Sequence, residues 1–93
     1  MRSVFLHSIS GMLLGSALLV AATAGAVGDL LLPAHSMKSS SLNVGALELG
    51  ELCRALEQDA RGGSVANPVD RANEIKLAFA EARAALLEER LRR

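Results

Sequence analysis

Imidazole, thiol and phenol groups are scarce in this chain: two histidines, one cysteine and no tyrosine. His35 stands out by its neighbours. Lys38 lies three residues further on and Ser39 four, so on a helix all three share one face. A neutral imidazole nitrogen near neutral pH is a nucleophile, and its attack on an acyl phosphate gives a phosphohistidine. The Lys38 ammonium would then offset charge on the phosphoryl oxygens, and the Ser39 hydroxyl could donate a hydrogen bond to them. Spacing alone is a weak signal, because His-x-x-Lys equally describes a surface histidine beside a surface lysine. His7 has no recognisable partner and reads as structural or incidental. Cys53 falls at an apolar helical position and reads as a small core residue; a lone cysteine excludes an intramolecular disulfide and a multi-cysteine zinc site. Glu88 and Glu89 are adjacent, point apart on a helix and cannot work as a facing carboxylate pair. A G-x-S-x-G elbow, a P-loop and an H-E-x-x-H zinc motif are all missing.

Such residues need elements to hold them, and the composition points to helices. The chain has 93 residues, enough for one domain with one modest core. It is 51% apolar and rich in Ala and Leu, strong helix formers, so an all-α fold is expected. The formal net charge is zero, which leaves no basic field for nucleic acid or anionic lipid. Two Phe and no Trp or Tyr offer little for bases or sugars to stack on. Charge is unevenly spread. Residues 1–34 hold only Arg2 and Asp29, and residues 35–93 hold nine basic and nine acidic side chains.

The C-terminal half predicts two amphipathic helices. In the first, Leu42, Ala46, Leu49, Cys53, Leu56 and Ala60 form one stripe, with Glu48, Glu51, Arg54 and Glu57 turned away. Gly62 and Gly63 end it. The second begins at Asn67-Pro68, with Asn as cap and Pro at the first helical position. Its stripe is Ala72, Ile75, Phe79, Ala82 and Leu86, and Arg71, Glu74, Glu81, Arg83, Glu88 and Arg90 supply a solvated outer surface. A further helix runs from about Val27 or Gly28 to about Leu42, with residues 39–45 turning the chain into the next. Pro33 means that this helix is either kinked or starts late, near Leu30, with the proline in its first turn.

Ser8 to Gly28 carry no charged residue. Two readings stay open on the residues alone. One is a buried bundle helix of Ala and Leu over residues 8–27, in a cytoplasmic protein. The other is a membrane anchor or an export signal within residues 1–24, suggested by the apolar run, the Gly11/Gly15 pair and the small residues Ala22-Thr23-Ala24.

The stretch Ala34-His35-Ser36-Met37-Lys38-Ser39-Ser40-Ser41-Leu42-Asn43-Val44-Gly45-Ala46, followed by Leu49, Glu51-Leu52-Cys53 and Leu56-Glu57, resembles a histidine-containing phosphotransfer (HPt) domain. Members show A-H-x-L-K-G/S-S-S-x-x-L/V-G-A and then a helix containing L-C-x-x-L-E. The resemblance is close over about residues 25–63, and the rest agrees in length and helix pattern, including Phe5-Leu6 well before the histidine. It implies a single domain over 1–93, folded as an up-down four-helix bundle with His35 on the exposed face of its second long helix. It implies that His35 takes a phosphoryl group from one receiver-domain aspartate and passes it to another. Lys38 takes the family's cationic position, Ser39 a position where a small side chain lets the receiver approach, and Gly45 the turn before the third helix. The implied partners are receiver domains of response regulators and hybrid kinases, with no nucleic acid and no small-molecule substrate. No cofactor is implied, since the magnesium belongs to the receiver, and no ATP site or kinase activity. Met1 and the short length favour a separate chain. Two features depart from the family pattern: Leu30-Leu31-Leu32-Pro33 stands where polar, often basic residues are usual, and the first helix lacks outer charges. The competing function is a membrane-anchored helical scaffold in which His35 is never phosphorylated.

Overall fold

A computed structural model describes the backbone of residues 2–43 and 46–92 and the side chains of residues 13–42 and 46–92. Helices α1 (Arg2–Ala24), α2 (Leu31–Asn43), α3 (Leu47–Arg61) and α4 (Pro68–Leu91) make up the fold, with a 3-10 turn over Val27–Leu30 leading into α2. No strand occurs among the described residues. The molecule measures 44 × 19 × 19 Å, so the helices lie roughly along one long axis. Each packs on two neighbours in a closed ring, α1 on α2 and α4, and α3 on α2 and α4. Across the diagonals the Cα traces of α1 and α3, and of α2 and α4, stay more than 8 Å apart among the described residues, and core side chains fill the space between them. This is a helical bundle. His7, Phe5-Leu6, Gly11 and Gly45 lie outside the residues whose side chains are described.

The charge-free N-terminal run is helical, and its described part packs into the bundle core. Leu18, Ala21 and Ala22 of α1 are buried with Leu30, Ala34 and Met37, with Leu49, Cys53, Leu56 and Ala60 of α3, and with Ala72 and Ile75 of α4. Among the described residues, no helix is long and apolar enough to cross a membrane. The small residues that resemble a cleavage site form the last turn of α1. Gly25 ends it at φ 70°, with Gly25 N–H donating to the Ala22 carbonyl and Ala26 N–H to that of Ala21. Those two bonds form a Schellman cap, which needs the left-handed conformation that glycine adopts without strain.

Pro33 is accommodated by the late start. It is the third residue of α2, where the first-turn N–H groups have no intrahelical partner in any case, so its missing donor costs no helix bond. Leu42 departs from expectation. It belongs to the end of α2, half exposed, and α3 begins only at Leu47, so the stripe of α3 starts one turn later than the spacing predicts. Asn67 precedes α4 but forms no side-chain cap bond; it sits at φ 51°, a left-handed conformation that asparagine tolerates better than most residues. Cys53 is fully buried, and burial pushes its thiol up to about 12, leaving it protonated and unreactive.

Candidate functional site

α2 and α3 lie antiparallel: His35 and Lys38 face Glu57, and Ser41 and Leu42 face Gly50. The two helices come close because Gly50 presents no side chain there. A Cβ at Gly50 would stand 2.9 Å from Leu42 Cδ2. Buried Ala34, Met37 and Ser41 form the inner face of α2, and the Ser41 hydroxyl donates to the Met37 carbonyl at 2.6 Å, so its burial leaves no unmet polar group. His35 is thereby turned to the rim, with its side chain 52% exposed.

Glu57 is the centre of the site. Its side chain is only 5% exposed, and three cations or potential cations converge on it. His35 Nδ1 donates to Oε2 at 2.8 Å, Lys38 Nζ to Oε1 at 2.7 Å, and an Arg61 guanidinium nitrogen to Oε2 at 2.9 Å. The Lys38 bond, above all, holds the Glu57 carboxyl down at about 2; desolvation works against it, and the bonds from His35 and Arg61 reinforce it. At neutral pH Glu57 is therefore ionised and can only accept hydrogen bonds. It follows that Nδ1 of His35 carries the proton, and that Nε2 of the neutral ring holds the free lone pair. This is a fixed tautomer with a single nucleophilic nitrogen.

Sequence reasoning set Glu57 on the solvated side of α3, and the structure corrects that. The signal was present. Glu57 lies four residues after Cys53 and three before Ala60, on the edge of the apolar stripe, and it closes the L-C-x-x-L-E pattern. Lys38 shares the His35 face as the spacing predicts, but its ammonium is turned to Glu57. Ser39 is exposed one turn after His35, and Leu32, 73% exposed, lies one turn before it. Among the described residues, no three His, Cys, Asp or Glu side chains converge in a way that could hold a metal ion.

The family model described as the Hpt domain matches residues 1–85. Comparison with curated proteins and with solved structures finds no match.

Proposed function

The chain belongs to the Hpt domain family, and from that premise we propose that it relays a phosphoryl group between receiver-domain aspartates, carried on Nε2 of His35. The observation that supports this best is the Nδ1–H bond to a buried, ionised Glu57. In the transfer, the Nε2 lone pair attacks phosphorus, the bond from phosphorus to the aspartyl oxygen breaks, and the receiver keeps a free carboxylate. The ring gains positive charge and loses no proton. Glu57, 2.8 Å from Nδ1, offsets that charge, and the reverse step returns the phosphoryl group to another aspartate. Ser39 stands where a bulky side chain would block the receiver.

In this reading the helices run alternately up and down, as short connections favour. Magnesium sits on the receiver, the chain is a phosphocarrier without kinase activity, and its setting is the cytoplasm. The test is incubation with a radiolabelled phosphoreceiver and magnesium. Label on this chain that is acid-labile and alkali-stable is the expected result. A chain that takes no label from any receiver of the same genome rejects the relay in favour of a scaffold.

Lys38→Ala is expected to slow transfer about tenfold while circular dichroism stays unchanged. The variant removes the bond that does most to hold Glu57 ionised, and with it a cation on the His35 face that can offset phosphoryl charge. Rapid-quench rates with one receiver decide the point, and an unchanged rate takes Lys38 out of the site.

A further inference from the structure

α4 carries two apolar faces, and the bundle uses only one. Ala72, Ile75, Phe79 and Ala82 turn inward. Leu77, Ala80, Ala84, Leu87 and Leu91 recur at alternating spacings of three and four on a different face, and all five are exposed. The three leucines are 62%, 46% and 88% exposed. This is the a/d pattern of a coiled coil, with Leu77, Ala84 and Leu91 at a and Ala80 and Leu87 at d. Its flanks are sorted by charge. Glu81 and Glu88 fall at e, and Lys76, Arg83 and Arg90 at g.

We propose that this seam pairs with a second copy of the chain, through parallel α4 helices in register over residues 77–91. The occupant follows from the charges. In a parallel pair each g residue faces the next e residue of the other helix, so Lys76 meets Glu81 of the second copy, and Arg83 comes opposite its Glu88, which within the single chain pairs with Arg92 four residues on. An antiparallel pair would set cation against cation and carboxylate against carboxylate. The seam is thus complementary to itself about a two-fold axis, which a foreign helix would have to imitate. Ala80 and Ala84 at its middle let the two backbones approach closely. On the g side α1 lies alongside, with the Lys76 stem against Gly15.

The seam runs for only about 21 Å, so the interface is small and association depends on concentration. It leaves the phosphoryl site open. α2 lies across the bundle diagonal from α4, and each copy keeps its His35 accessible.

Analytical ultracentrifugation of the full chain from about 1 μM to about 500 μM is the test. The mass is expected to climb from 9.7 kDa towards twice that value. Leu87→Glu and Leu91→Glu, both at exposed positions, should stay monomeric at every concentration with unchanged circular dichroism. Glu81→Lys/Glu88→Lys should also be monomeric, and adding Lys76→Glu/Arg83→Glu should restore a dimer of one of each. Should that last variant not fold, the two leucine variants still decide. Leu91→Cys, next to the axis, should oxidise to a linked dimer, and only slowly when Leu87→Glu is present. A wild-type chain of 9.7 kDa throughout, or a dimer that survives Leu87→Glu, overturns the proposal. A dimer in which Leu91→Cys does not link overturns its parallel arrangement.

Discussion

His35→Gln is expected to abolish phosphate acceptance while the protein keeps its fold. The effect is all or none because the transfer needs a nitrogen lone pair, and a glutamine amide nitrogen has none to give. The side chain is half exposed on the rim of α2, away from the buried cluster formed by Ala34, Met37 and their partners on α3. Glutamine can still donate a hydrogen bond towards Glu57, so the stability change is expected to stay near about 0.5 kcal/mol. The measurement is label transfer from a radiolabelled phosphoreceiver, with thermal unfolding run beside it. Label on the glutamine variant would move the carrier to another residue, and collapse of the fold would show that His35 holds the bundle together.

Glu57→Gln is expected to reduce transfer about tenfold, or about 1.4 kcal/mol in the barrier, and to change how stability depends on pH. Glutamine has the same shape but no charge, so it neither fixes the His35 proton on Nδ1 nor offsets the charge on the phosphorylated ring. Nitrogen NMR of the imidazole should show Nδ1–H in the wild type and a mixture of tautomers in the variant. A ring that keeps its tautomer and its rate removes Glu57 from the chemistry. The pH effect has a definite sign. The folded carboxyl, at about 2, lies below its ordinary value of 4.5, so its contribution is complete above about pH 4.5 and is lost as pH falls through 2. A shift of this size corresponds to about 3 kcal/mol at full value. Water around the exposed His35 and Arg61 screens it, leaving about 1 kcal/mol. Denaturant midpoints measured between pH 6 and 2 should fall less steeply for the variant than for the wild type.

Much of this was legible in the residues. The stripes of Leu49, Cys53, Leu56 and Ala60, and of Ala72 and Ile75, are buried as their spacing predicts, because a period near 3.6 leaves one face to fill. The placement of His35 and Lys38 on one face was also legible. The position of Glu57 at the edge of the stripe was visible but its burial was not, since a charged residue there is solvated unless something on a facing helix neutralises it, and pairing across helices leaves no periodic trace. Leu42 misled for a related reason. It continues the stripe of α3 by spacing, but the chain turns between it and Leu47, and periodicity is blind to turns. The exposed leucines of α4 were hidden because two apolar faces on one helix blur each other.

The ring of contacts also has a kinetic side. His35 and Glu57 come from helices that follow one another in the chain, joined by the few residues between Asn43 and Leu47. Closing so short a loop sacrifices little chain entropy, so the reactive hairpin is among the most local parts of the topology. The contact of α1 with α4 joins the far ends of the polypeptide and bears the larger entropic burden of closure. The demanding step in assembling the molecule therefore falls on the pair of helices that carries none of the phosphoryl chemistry.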